Sequence, residues 1–196
     1  MFNNQIIAGS SGQGGGFYSK TIDQSLRCNG SNEYLTRTPS SSGNRRTWTF
    51  SAWVKLGVDG VRFPLIEAYS DGTNFTMAVI HTDGRIQFYT ITSATDYGGI
   101  TTQYLRDPSA WYHIVFRFDS TQSTAADRIR LYVNGVQQET NPWTDYGQMP
   151  QNYDSFINHT VANNILKNTN SSQYGQGYIA EVHHVDGTSY GPDTRS

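Results

Sequence analysis

Period-two alternation of apolar and polar residues, broken repeatedly by turn-forming dipeptides, constrains this chain more than any other feature. In "TWTFSAWVKL" (47–56), Trp48, Phe50, Ala52, Val54 and Leu56 fall on one face and Thr47, Thr49, Ser51, Trp53 and Lys55 on the other. In "WYHIVFRFD" (111–119), Tyr112, Ile114, Phe116 and Phe118 oppose Trp111, His113, Val115 and Arg117. "RIRLYV" (128–133) sets Ile129, Leu131 and Val133 against Arg128, Arg130 and Tyr132. Successive side chains of a strand point to opposite faces, so each segment predicts a strand with one buried side. Asn134-Gly135 predicts a type I′ hairpin, whose two central residues need positive φ. Asp83-Gly84, between "NFTMAVIHT" and "RIQFYTIT", predicts a second two-residue hairpin. "FPLIEAYS" (63–70), ending at Asp71-Gly72, and "GYIAEVHHVDG" (177–187) add further strands. No window sustains a helical period, and "TAADR" (124–128) allows one turn at most. The expectation is an all-β fold, a β-sandwich or barrel, in which two packed antiparallel sheets would bury these apolar faces. No internal repeat is present, which argues against a propeller or solenoid.

Composition narrows the functional classes. The chain is 196 residues long, 13% aromatic and only 15% charged, against a usual share of about 25% charged residues. Ser, Thr, Asn, Gln and Gly supply the polarity, a mix suited to strands and turns. With a net charge of −2 and scattered Arg residues, no basic stripe exists for nucleic acid. The single cysteine, Cys28, cannot form an internal disulfide and reads as a small buried hydrophobe. No stretch approaches the ~18 apolar residues of a helical membrane span. "MFNNQIIAGS" lacks the positive region and long apolar core of a secretory signal peptide.

Residues 9–16, "GSSGQGGG", are Gly-rich and follow a short apolar tip, "FNNQIIA". Residues 1–17 therefore read as a flexible arm and 18–196 as the sandwich domain. Phe2, Ile6 and Ile7 are the arm's apolar contacts, placed to dock on a neighbouring subunit or fray in solvent.

The chemistry-bearing residues are sparse. Glycoside hydrolysis needs two carboxyl groups about 5–10 Å apart, yet the four glutamates (33, 67, 139 and 181) are isolated and no E-x-D or E-x-E occurs. His183 and His184 are adjacent, so on a strand they face opposite ways and cannot share one ion. No P-loop, G-x-S-x-G or H-E-x-x-H pattern is present. An Asp-Gly turn could give calcium an oxygen ligand, but no ligand set can be assigned. The expectation is a protein that is not an enzyme and needs no cofactor. Carbohydrate recognition uses an aromatic ring against a sugar face with amides or carboxylates beside it. "NPWTDYGQMPQNY" (141–153) is the richest such stretch, and "SATDYGGITTQY" (93–104) and "NTNSSQYGQGY" (168–178) are similar. Trp143, Asp145, Tyr146, Tyr153 and Tyr97 are thus the candidate carbohydrate contacts. The alternative is that these rings cap the sandwich ends or fill subunit contacts. Trp53, on the polar face of its strand, is either covered by a loop or exposed to a partner.

With the strands placed, the chain resembles the concanavalin A-like lectin/glucanase superfamily, in its laminin G-like branch, which implies a two-sheet antiparallel β-sandwich of jelly-roll topology. "TWTFSAWVKLG", "AWYHIVFRFDSTQSTAADRIRLYVNGVQQ" and "GYIAEVHHVDG" carry the resemblance, in the family's order, across roughly residues 47–187. The segment from Met1 to Lys55, with "DPSAWYHIV", is similar to virion structural proteins of marine tailed phages. That narrower resemblance implies a non-enzymatic tail-fibre or capsid-decorating protein on the virion surface, made in the host cytoplasm. It also implies other virion proteins as partners, a homo-oligomer such as a trimer, and contact with host surface glycans. The alternative is a dedicated carbohydrate-binding module for adsorption. A polysaccharide-cleaving enzyme is a weaker third, because the glucanase carboxylate motif has no counterpart here.

Overall fold

The computed structural model describes residues 24–141 and 148–192, so the proposed arm with Phe2, Ile6 and Ile7 lies outside the described residues. A six-stranded sheet places β1 (Leu26–Asn29), β15 (Gln176–Asp186), β3 (Thr47–Leu56), β8 (Tyr112–Asp119), β9 (Ile129–Val133) and β10 (Val136–Gln137) side by side in that order. A seven-stranded sheet runs β11 (Thr140–Asn141), β7 (Thr95–Thr101), β6 (Ile86–Thr92), β5 (Asn74–Ile80), β4 (Phe63–Asp71), β12 (Ala162–Ile165), β2 (Leu35–Arg37). β13 (Lys167–Asn168) and β14 (Gln173–Tyr174) form a small hairpin. Within both sheets neighbouring strands are antiparallel. Helical structure among the described residues is one 3₁₀ turn, Ala125–Asp127, where the sequence allows a single turn.

The alternation predicted for β3, β8 and β9 is the alternation observed. Trp48, Phe50, Ala52, Val54 and Leu56 are buried between the sheets with Ile114, Phe116, Phe118, Leu131 and Val133. Phe63, Ala68, Ala78, Ile80, Ile86 and Phe88 meet them from the seven-stranded sheet. Trp48 is fully buried and stacks on Phe118 with centroids 5.0 Å apart, while Phe88 reaches it from the opposite sheet at 6.2 Å. Its indole N–H donates to Ser155 Oγ at 3.0 Å, which satisfies the one polar atom this large side chain buries. Cys28 is buried in the same core, and burial pushes its thiol pKa up.

The turns follow their chemistry, with one difference. Asn134 and Gly135 both have positive φ, 50° and 81°, as a type I′ turn requires. Asn134 Oδ1 also accepts the His113 N–H at 2.8 Å, tying the turn to β8. At Asp83-Gly84 only Gly84 has positive φ, 85°. Gly84 N–H donates to His81 O and His81 N–H to Arg85 O, so the connection is longer than the two-residue loop expected from the dipeptide. Asp83 accounts for this, because its carboxylate accepts the Arg85 N–H and guanidinium instead of leaving the turn to the backbone alone.

β15 is irregular. Its register against β3 slips between Ala180 and His183, a β-bulge that sets Glu181 and Val182 against Ala52. Val182 then packs on the core, as Ile179 does three residues earlier. Beyond the bulge His184 and Asp186 pair with Phe50 and Trp48, whose side chains point inward. The C-terminal tail returns over the outer face of the six-stranded sheet. Thr49 donates to Thr188 O at 2.8 Å and accepts the Tyr190 N–H at 2.7 Å, and Arg117 Nε donates to Ser189 Oγ at 3.1 Å.

On the far face of the seven-stranded sheet, Glu67 is completely buried beneath the β13–β14 hairpin. Its carboxylate accepts the Thr169 N–H at 2.9 Å, the Thr169 hydroxyl at 2.7 Å and Asn164 Nδ2 at 3.2 Å. Burial still raises its pKa above the ordinary carboxylate range despite these donors. A raised folded-state pKa means that Glu67 contributes most stability below the unfolded carboxyl value and loses it as pH rises through the folded one. Relative to Glu67→Gln, the wild type should therefore lose urea stability as pH rises from about 4.5 to 7.5, by on the order of 1 kcal/mol. Parallel pH profiles for the two proteins would contradict this assignment.

Candidate functional site

Trp143, Asp145 and Tyr146 lie outside the described residues. Tyr153 and Tyr97 are described and lie together, with ring centroids 5.4 Å apart in an edge arrangement. Both rings are half-buried and packed against the main core. The Tyr153 hydroxyl is held by Thr90 Oγ1 at 2.9 Å and Thr92 Oγ1 at 2.5 Å, and burial raises its pKa. Thr90 is in turn bonded to Thr76, which accepts the Phe156 N–H. This pair therefore closes one end of the sandwich and anchors the segment around Tyr153.

A second aromatic group lies on the outer face of the six-stranded sheet, where the sequence singles out Trp53 and the stretch 168–178 that ends on Tyr178. Three rows of this face follow from the register. In the first, Arg27 of β1 and Lys55 of β3 flank Tyr178 of β15. In the second, Trp53 sits between Ala180 and His113. In the third, Ser51 sits between His183 and Val115, with Tyr132 beyond. Rows on one face repeat every two residues, about 7 Å along the strand. Trp111, one residue ahead of β8, reaches Tyr178 with centroids 6.3 Å apart and planes inclined at 59°. Trp53 and His113 lie 5.1 Å apart at 33°. The rings of Trp53, Trp111 and Tyr178 are half-buried, whereas His113 is buried. The result is a trough of aromatic walls rather than a flat stack.

Local structure holds this trough in place. The Asp107 carboxylate accepts the Ser109 N–H at 2.8 Å and hydroxyl at 2.6 Å, which keeps its pKa below the ordinary range. The Ala110 N–H bonds to Asp107 O, and the Tyr112 hydroxyl bridges the Asp107 backbone. That compact turn delivers Trp111 to the sheet. Glu181, at the bulge, has φ of +48°, a left-handed conformation that carries a cost for a side-chain-bearing residue. Its carboxylate lies 3.5 Å from His183 Nε2 on the same strand. Bulges re-aim side chains and gather beside functional sites, and this one borders the Trp53 row.

Other constellations have structural roles. Ser42 Oγ lies 3.2 Å from His159 Nδ1, a pair that resembles a nucleophile and its base. That nitrogen already accepts the Thr160 N–H at 2.7 Å, so its lone pair is not free for a hydroxyl proton. Asn158 joins three segments. Its Nδ2 donates to Asn44 O and Asp186 Oδ1, and its Oδ1 pairs with His184 Nε2 at 2.7 Å. Because Nδ2 is the donor in this network, His184 must carry its proton on Nε2. Glu67 and Glu181 belong to different sheets and face away from each other, so they cannot form a hydrolytic pair. Among the described residues, no three His, Cys, Asp or Glu side chains are grouped to hold a metal ion.

Residues 29–188 match the Laminin_G_3 family, whose description is the concanavalin A-like lectin/glucanases superfamily. The chain belongs to that family. A comparison with curated protein sequences finds no match. Among solved structures, domain 4 of the extracellular arabinanase AbnA from Geobacillus stearothermophilus, in complex with arabinotriose, is similar at a TM-score of 0.57 and 14% identity, over 86% of this chain and 85% of that one. The CBM40 of the Ruminococcus gnavus IT-sialidase matches at 0.56 and 9% identity, over 88% and 95%. Domains LG4-5 of the mouse laminin α1 chain match at 0.57 and 12% identity, over 83% of this chain and 42% of that one. At such identities the likeness establishes the shared fold.

The strain at Glu181 is open to direct measurement. Glu181→Gly should keep or raise urea stability, by up to about 1 kcal/mol, because glycine adopts positive φ freely. Glu181→Val should lower it by about 2 kcal/mol, since a β-branched residue tolerates that conformation poorly. Equal losses in the two variants would show that the side chain, and not the backbone geometry, sets the residue at this position.

Proposed function

We propose that this chain is a non-enzymatic glycan-binding domain, and that the trough of Trp111, Tyr178 and Trp53 is the surface that takes the sugar. One observation carries this reading: large aromatic side chains stand half-exposed on the outer face of a rigid sheet, held by a compact turn and bordered by a strained bulge. Aromatic faces cover the apolar face of a pyranose, and nearby polar groups such as Ser51, His183 and Glu181 can meet its hydroxyls. The family is consistent with binding, and several structures of similar fold are named as carbohydrate-binding or were solved with an oligosaccharide. The finer part of the proposal, display on a phage virion as a tail-fibre or capsid-decorating protein, is supported by the sequence resemblance of residues 1–55. In that setting Phe2, Ile6 and Ile7 would attach the domain to other virion proteins or to copies of itself. A second reading places the sugar on Trp143, Asp145, Tyr146, Tyr153 and Tyr97, because Tyr97 and Tyr153 do lie together at the sandwich end.

Binding to a glycan array, followed by titration calorimetry on the best glycan, tests the first reading against the second. Trp111→Ala should weaken binding about tenfold or more, the effect of losing one well-packed ring contact, and Trp143→Ala should leave it unchanged. A loss confined to Trp143→Ala would move the site to the stretch 141–153, and binding to no glycan would remove the function. Mass spectrometry of purified particles addresses the virion assignment, which would fall if the chain were absent from them.

A further inference from the structure

The outer face of the six-stranded sheet differs in charge from the chain as a whole. The chain carries a net charge of −2, yet this face presents Arg27, Lys55, Arg117 and Arg130 beside the Glu181 carboxylate. Arg117 and Arg130 are direct cross-strand neighbours, a like-charge arrangement that ordinarily costs stability. Local partners account for these two: Asp127 lies 2.6 Å from Arg130, and the C-terminal tail engages Arg117 through Ser189. The Asp119 carboxylate is occupied by Thr121 and Gln122.

Arg27 and Lys55 are different. They flank Tyr178 from the strands on either side, with Arg27 Cζ 6.0 Å and Lys55 Nζ 5.9 Å from the ring centroid. Among the described residues neither is in an ion pair. The nearby Asp107 carboxylate is taken up by Ser109, and Lys55 acts on it only at a distance. Two cations that form no ion pair among the described residues thus stand on both sides of a ring that forms one wall of the trough. We propose that the trough selects an acidic glycan, with Arg27 and Lys55 receiving the carboxylate or sulfate groups of sugars that stack on Tyr178 and Trp111. This inference rests on the glycan-binding reading and adds the class of ligand to it. Charge complementarity of this kind governs selection and encounter more than packing does, and it is screened by salt.

Dextran, dextran sulfate and alginate are suitable probes for the full chain, because the first two share a backbone and differ in charge. The acidic polymers should bind at least about tenfold more tightly than dextran and weaken as NaCl is raised. Arg27→Gln with Lys55→Gln should cost about tenfold for the acidic polymers and leave dextran and the unfolding midpoint unchanged. Arg62→Gln, in the connection between β3 and β4 and near enough to His81 to act on its charge, should have no effect. Acidic polymers bound as well by the double variant as by the wild type, or lost equally in Arg62→Gln, would overturn the inference. Dextran bound as tightly as its sulfate would also overturn it while leaving the glycan-binding reading standing. Failure of all three polymers to bind would count against both.

Discussion

Trp48 holds the two sheets and one end of the sandwich together. Its ring fills the space between Phe118 of its own sheet and Phe88 of the other, and its N–H fixes Ser155 in the loop after Tyr153. Ser155 Oγ donates in turn to Arg45 O, so the loop ahead of β3 is tied to the same point. β3 pairs with β15 on one side and β8 on the other, and so transmits this anchor to the centre of the six-stranded sheet. Core substitutions here would cost several kcal/mol through lost contacts and a residual cavity, about 3–5 for a large aromatic.

That rigid interior leaves recognition to outer faces, rims and loops. The outer face of the six-stranded sheet carries what recognition of a sugar needs: aromatic walls, hydrogen-bonding groups and two cations that form no ion pair among the described residues. The bulge in β15 matters for the same reason. By inserting one residue it keeps Ile179 and Val182 on the core while Glu181 and His183 remain on the outer side. Left-handed geometry at Glu181 is the local cost of serving both faces.

Much of the fold was legible because strand period and turn chemistry act locally. The inward residues of β3, β8 and β9, the Asn134-Gly135 turn, the buried Cys28 and the single helical turn can all be read from neighbouring residues. What could not be read depends on register. Arg27, Lys55, Trp111 and Tyr178 are far apart in sequence and converge only when β1, β15 and β3 pair and the Asp107 turn returns Trp111 to the sheet. A usable signal was present in Trp53 and Trp111, both on the polar side of an alternating strand, and in Tyr178, which ends the aromatic and amide-rich stretch 168–178. The bulge has no dipeptide signature in "GYIAEVHHVDG", and Asp83 overrode the simple hairpin expected of Asp-Gly by binding Arg85.

The chain has four tryptophans, and they sit where the competing accounts diverge. Trp48 is in the core, Trp53 and Trp111 are on the outer face of the six-stranded sheet, and Trp143 belongs to the stretch 141–153 favoured by composition. Indole N–H resonances in a ¹H–¹⁵N spectrum therefore report on each place separately during a titration with a bound oligosaccharide. If the outer face is the site, the Trp111 and Trp53 signals move with ligand while those of Trp48 and Trp143 stay in place. Movement of Trp143 with Trp111 and Trp53 unchanged would contradict the account.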